Sequence, residues 1–130
     1  MTQLWKNDVV EPVSILTITS GEMEAFKVGD LVKVSGITRG LGFQGVVKRH
    51  GFHGGPQTHG QKNRLRHSGS IGNTSPQRII PGRRMAGHMG AVRCTVRNLR
   101  IVEIDAQQKT MAIRGAVPGY NKRSILEIVK

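Results

Sequence analysis

The stretch VRCTVRNLRIVEI at residues 92–104 decides the fold of this chain. Its first half alternates apolar and polar residues, which is the period of a β-strand with one buried face. The alternation slips near Asn98 and shifts again at Val102, and a β-bulge is the simplest cause of such a slip. The pattern predicts a long, bulged strand in which Cys94 lies on the apolar side and packs against the core.

Further strands are expected on both sides of this stretch, because β-branched residues recur there between turn-forming residues. The strands are predicted at 9–18, 31–34, 110–114 and 125–129, and the turns or hairpin loops at 28–30, 105–108 and 117–119. The fold class is therefore mainly β. A length of 130 residues suits one domain.

The middle of the chain, residues 49–90, differs in composition. Large apolar residues are few, glycine is frequent, and no helical period spans the zone. Because each ordered glycine carries a high entropy cost, we expect this zone to be mostly disordered when free in water. Both its ends must return to the same core. The sequence therefore predicts a single domain with a small β-barrel from 1–47 and 91–130, and 48–90 as its long, irregular basic extension.

Charge is distributed unevenly along the chain. No carboxylate lies between Asp30 and Glu103, although thirteen Lys and Arg and all five His lie there. Such a stretch repels itself, and nucleic-acid phosphate is the densest compensating polyanion in a cell. The whole chain has a formal charge of +12 and a pI near 11.2. Nucleic acid is therefore the expected partner.

A membrane surface is another polyanion, but its recognition needs an amphipathic basic helix or a lipidation signal, and the sequence has neither. Because Glu11 and Pro12 interrupt the apolar run 9–18, we expect neither a signal peptide nor a membrane span. Cys94 is the single cysteine, which excludes an internal disulfide and is compatible with a reducing compartment.

Three motifs suggest other chemistry. Residues 40–45 (GLGFQG) match the GxGxxG dinucleotide fingerprint, but we expect a glycine-rich bend and no helix after it, and no acidic residue follows to hold a ribose, so no cofactor is predicted. A zinc site at His50, His53 and His59 lacks a nearby Cys or carboxylate, so no metal is predicted. A histidine ribonuclease would need a deep pocket that this zone cannot wall. We predict that the protein is not an enzyme.

Basic clusters interleaved with glycines suit phosphate contact, because small residues let backbone amides approach phosphates as well. Aromatic residues are sparse, which is not typical of a surface that stacks single-stranded bases. The segment is expected to thread through folded RNA and to recognise its shape. The predicted RNA-binding residues are Arg39, Lys48, Arg49, His50, His53, His59, Lys62, Arg64, Arg66, His67, Arg78, Arg83, Arg84, His88, Arg93 and Arg97.

Several blocks, in order, resemble the universal large-subunit ribosomal protein L-three family of bacterial type. They are GLGFQGVVKRHGF at 40–52, HG at 59–60, GSIG at 69–72, Thr74, Pro76, RRMAGHMG at 83–90, TV and NL within 95–99, and GAVPG at 115–119.

The N-terminal half departs from the family: a glycine-rich lead and a long insertion between the first strands are missing, so a natural or engineered shortening is expected. Leu41 replaces a common Lys. His88 stands where many bacterial members have a Gln, methylated in some, and that modification is not carried over.

This resemblance implies a barrel of the kind found in translation factors and an extension that runs toward the peptidyl-transferase region. It implies a structural constituent of the large subunit of the cytoplasmic ribosome, which binds 23S-type rRNA and supports early assembly. Neighbouring proteins of the L-fourteen and L-nineteen types are the implied protein partners. The alternative is a general RNA-binding accessory protein or RNA chaperone, which would bind many RNAs equally.

Overall fold

A computed structural model describes residues 1–6, 8–21, 23–120 and 124–130. The chain divides into two compact units. The first, Met1–Arg39 with Ala91–Lys130, is called the sheet unit below, and the second, Gly40–Gly90, is called the basic unit.

β-Strands are the dominant regular structure of the described residues, which confirms the predicted mainly β fold class. Short 3₁₀ turns cover Met23–Ala25 and Lys62–Arg64, and no helix in the described ranges is long and apolar enough to cross a membrane. The remaining elements are β1 (Thr2–Lys6), β2 (Val9–Thr17), β3 (Leu31–Ile37), β4 (Gly42–Gln44), α1 (Val46–His50), β5 (Gly87–Met89), β6 (Arg93–Asp105), β7 (Thr110–Arg114) and β8 (Leu126–Val129).

The sheet unit contains one six-stranded antiparallel sheet in the order β1-β2-β7-β6-β3-β8. It is not a closed barrel, so the expectation of a barrel was wrong. β8 is only four residues long and, among the residues that the structure describes, pairs with β3 alone, and β1 covers only the first half of β2. The second half of β2 and residues of β8 instead line a cavity of about 520 Å³ of mixed polarity, whose walls include Leu16, Phe26 and Ile128.

The main core lies between β3, β6 and β7, where the alternation of the sequence places one face inward. Partly buried side chains such as Leu16, Phe26 and Leu126 pack around it. The fully buried residues are Val32, Val34, Ile101, Met111 and Ile113. A second, smaller cluster joins Val13, Val102 and Ala112.

The predicted bulge in β6 is confirmed. Asn98 has a φ of +60°, and the pairing with β3 slips between Val32 and Val34. A second slip lies opposite β7, between Ile101 and Glu103. Each slip inserts extra residues into β6, so the strand can keep apolar side chains directed at the core after its alternation changes.

Cys94 is exposed, so the prediction that it packs in the core was wrong. Its register partner is Gly36, and the next pair inward along that face is Val34 with Val96. The alternation therefore identified the correct face of β6. The strand runs past the end of the core, however, and Gly36 offers no side chain for Cys94 to pack against.

Ile101 is fully buried in the main core. Shortening it by Ile101→Val is expected to lower the free energy of unfolding by about 1 kcal/mol, because the vacated space loses its packing contacts. The matched change Ile125→Val alters a side chain that is 91% exposed, and its effect should stay within about 0.5 kcal/mol. Urea unfolding followed by circular dichroism measures both changes. Equal effects would contradict the assignment of Ile101 to the core.

Candidate nucleic-acid interface

The two units differ sharply in charge. The basic unit contains eight Lys and Arg, all five His and no carboxylate, so its formal charge is +8. The sheet unit contains the other twelve Lys and Arg and all eight carboxylates, which gives +4. Two thirds of the net charge therefore lies on 51 residues that have no acidic side chain to offset it.

Two acids of the sheet unit, Asp30 and Glu127, pair with cations of the same unit. Lys130 Nζ donates to Asp30 Oδ2 over 2.7 Å, and Arg93 donates to the Glu127 carboxylate. The hydrogen bond from Lys130, followed by the backbone N–H of Lys27, holds the pKa of Asp30 below its usual value. Exposed pairs of this kind add little stability, but they reduce the positive charge that the sheet unit can offer to a polyanion.

The basic unit has almost no interior. Across Gly40–Gly90, all of which the structure describes, Val46 is the only buried residue, and residues 69–84 are exposed throughout. Hydrophobic burial therefore contributes little to the order of this unit. Backbone hydrogen bonds and close backbone contacts at a few glycines define its path instead.

A two-stranded pairing of β4 with β5 closes the ends of the basic unit, and Leu41 N–H donates to the Met89 carbonyl over 2.9 Å. The five-residue helix α1 follows β4 and ends at Gly51, whose φ is +72°. The expectation that no helix follows the GxGxxG match was therefore wrong. The cofactor interpretation gains nothing from this, because β4 belongs to an antiparallel pair and not to the parallel sheet that a dinucleotide-binding motif requires.

Two basic side chains of α1 converge on one backbone carbonyl. Arg49 donates from a guanidinium nitrogen to the Met85 oxygen over 2.7 Å, and His50 Nε2 lies 3.0 Å from the same oxygen. Gly87 makes room for this arrangement, because a Cβ at that position would lie 2.6 Å from the Arg49 guanidinium. The contact joins α1 to the segment before β5, and it leaves the other guanidinium donors of Arg49 for a ligand.

A second close contact folds the segment after α1. Gly55 N–H donates to the Leu65 carbonyl over 3.0 Å. Gly54 has a φ of +77°, and a Cβ there would overlap the Leu65 carbonyl oxygen. Only glycine allows this approach of two backbone segments, which brings the basic residues around Arg64 and Arg66 against the 53–56 turn.

We expect Gly54→Ala to weaken RNA binding about tenfold more than Gly60→Ala, because backbone strain of this kind costs about 1–3 kcal/mol and only the first change adds an overlap. Gly60 is a matched control with a φ of +86° and no heavy atom within 4 Å of a built Cβ. Fluorescence anisotropy with a labelled large-subunit rRNA transcript measures the difference. Identical affinities would show that the 54–65 contact does not shape the bound form.

The structure brings thirteen of the sixteen predicted residues into the basic unit, whereas Arg39, Arg93 and Arg97 lie in the sheet unit. Arg49 and His50 are half-buried, and the other fourteen are exposed. In the described ranges, no three His, Cys, Asp or Glu side chains come together as metal ligands. The sequence did not identify the Met85 carbonyl or Gly87, since backbone acceptors have no signature in a sequence and their partners are distant along the chain.

Comparison with known proteins gives a consistent set of relatives. Residues 14–122 match the family described as Ribosomal protein L3. The protein named Large ribosomal subunit protein uL3 in Chloroherpeton thalassium is 50% identical over 109 residues, which cover 83% of this chain and 52% of that protein. The protein of the same name in Chlorobium limicola is 52% identical over 108 residues, which cover 82% of this chain and 51% of that protein. The chain thus spans about half the length of these curated relatives.

Proposed function

Because this chain belongs to the ribosomal protein L3 family, we propose that it is a structural component of the large ribosomal subunit and binds large-subunit rRNA through the basic unit. One observation carries this proposal: eight Lys and Arg lie on 51 residues that have no carboxylate and a single buried side chain. A segment with this composition gains order and charge balance together when it is surrounded by phosphates.

The proposed mechanism is charge neutralisation without catalysis. Cationic side chains of the basic unit replace counterions condensed on the phosphates, so crowded RNA helices can approach one another. The sixteen predicted residues remain our proposal for the RNA contacts. Of these residues, Arg93 has the least support as an RNA contact, because it already forms an ion pair with the Glu127 carboxylate. No cofactor or metal enters this mechanism.

The family also motivates three finer proposals. The basic unit extends toward the peptidyl-transferase region, the protein joins the subunit early in assembly in the cytoplasm, and the sheet unit contacts neighbouring proteins of the L-fourteen and L-nineteen types. The exposed apolar side chains of the sheet unit, such as Trp5 (77% exposed) and Ile15 (56% exposed), support a protein-facing role for its surface.

Sedimentation of the tagged chain from a bacterial lysate through a sucrose gradient tests the proposal. We expect the tag to migrate with the large subunit and to remain there when the two subunits are separated at low magnesium. A tag spread over RNAs of all sizes would favour the alternative, an RNA chaperone. A tag at the top of the gradient would contradict RNA binding in either form.

A further inference from the structure

A loop of the basic unit forms an open cavity of about 460 Å³, lined by exposed residues between Ser70 and Arg83. Arg83 donates from its guanidinium to the Ser70 carbonyl over 2.6 Å, which ties the two ends of the loop together. The Ser70 hydroxyl donates to the Gly72 carbonyl over 2.8 Å and holds the first turn. The volume lies within the range of about 300–1,000 Å³ that is usual for ligand pockets.

The walls of this cavity are partly apolar, which phosphate contact does not explain. Ile71 is 44% exposed, Ile80 is 61% exposed, and Pro76 and Pro81 complete the apolar lining. Covering aliphatic side chains with an apolar surface is favourable because it removes them from water, whereas a phosphate would remain hydrated beside them. The flat face of a nucleobase is the apolar surface that RNA offers when a base leaves its stack.

Polar residues also line the cavity. Asn73 and Ser75 offer hydrogen-bond donors and acceptors of the kind that pair with the edges of a base. Arg78 lines it too, and a guanidinium is a charged donor suited to phosphate oxygens. Its neighbour Ile79 does not line the cavity, although it is similarly exposed at 47%.

We propose that the 70–83 loop receives one unstacked nucleobase of the bound RNA, with Ile71 and Ile80 against its faces and Asn73 at its edge. This inference rests on the proposed function, because it names the part of the RNA that one loop of the basic unit recognises. It adds base contact to an interface that is otherwise electrostatic.

The test compares two RNA probes of equal charge, a random-sequence hexamer and a fully abasic hexamer of the same length, by fluorescence anisotropy with the full chain. We expect the intact hexamer to bind about fivefold more tightly, because a base would cover apolar surface of Ile71 and Ile80 that an abasic sugar leaves in water. The double change Ile71→Ser/Ile80→Ser should abolish this difference. The matched change Ile79→Ser should preserve it.

Equal binding of the two probes to the unchanged chain would overturn the inference and leave the proposed function standing, provided that both affinities fall steeply with salt. Binding of neither probe, nor of a large-subunit rRNA transcript, would overturn both. A preference for the intact hexamer that survives Ile71→Ser/Ile80→Ser would place base contact elsewhere and overturn the inference. Asn73→Ala is a second variant, expected to reduce the preference without altering the apolar walls.

Discussion

The affinity of this protein for a large-subunit rRNA transcript is expected to fall by roughly 10³–10⁵ when monovalent salt rises from about 50 to 200 mM. Each neutralised phosphate releases condensed counterions, and the logarithm of the affinity falls with the logarithm of the salt concentration by about 0.9 per contact. Six to ten contacts would give this range. The eight Lys and Arg of the basic unit lie within this range.

The slope of this titration is more informative than the affinity at one salt concentration. Filter binding with a radiolabelled transcript at five or more salt concentrations provides it. A slope near zero would contradict an interface made of phosphate contacts, whatever the affinity. A slope that is equally steep for unrelated RNAs of the same length would support electrostatic binding but argue against a dedicated ribosomal partner.

Five of the six strands of the sheet unit, all except β1, could be predicted, because their information is local. Alternation of apolar and polar residues identified β6, the hairpin loop at 105–108 indicated β7 after it, and the slip at Asn98 gave the position of the bulge. β8 was also expected, one residue earlier than Leu126, where the strand begins. These features follow from the two-residue period of a strand, which leaves a signature wherever one face is buried.

Closure of the sheet was not predictable in the same way. A barrel requires that the first and last strands pair, and that depends on strand lengths and on register across the whole sheet. The four residues of β8 all pair with β3, and within the described ranges no strand pairs with the second half of β2 on the side away from β7. The exposure of Cys94 has a similar origin, since periodicity identifies a face but not where the core beneath it ends.

The candidate interface could be recognised from charge alone, but its internal geometry could not. A stretch without carboxylates is visible in the sequence. The contact of Arg49 with the Met85 carbonyl joins positions 36 residues apart, and that of Arg83 with the Ser70 carbonyl joins positions 13 apart. Both use a backbone acceptor, which every residue possesses, so no residue pattern distinguishes the partner.

These two contacts also separate the roles of the arginines. Arg49 and Arg83 each donate from the guanidinium to a backbone carbonyl of the basic unit. Arg83 is nevertheless exposed, as are Arg64, Arg66 and Arg84. A guanidinium has five N–H donors, so a structural contact does not prevent a phosphate contact. Substitution of Arg83 should therefore affect both the shape of the loop and its charge, and a test must separate the two effects.

The double change Arg83→Glu/Arg84→Glu is expected to weaken binding to a large-subunit rRNA transcript by about 10²-fold at about 0.1 M salt. Each lost phosphate contact accounts for about tenfold under these conditions, and the new carboxylates add repulsion. Both residues are exposed in the basic unit, so the β signal in circular dichroism should not change. Loss of that signal would show that these residues support the core.

Two further variants distinguish the position of the charges from their number and from the shape of the loop. Lys6→Glu/Lys109→Glu makes the same change in net charge at exposed positions of the sheet unit, and we expect it to weaken binding less than about tenfold. Arg64→Glu/Arg66→Glu reverses charge in the basic unit without removing the contact of Arg83 with Ser70, and it should weaken binding as much as the Arg83 and Arg84 double change does.

If all three double variants lose the same affinity, binding depends on net charge alone, and the basic unit has no special role. If only the Arg83 and Arg84 pair is affected, the loop that Arg83 closes matters more than phosphate neutralisation, because the reversed charges are otherwise equivalent.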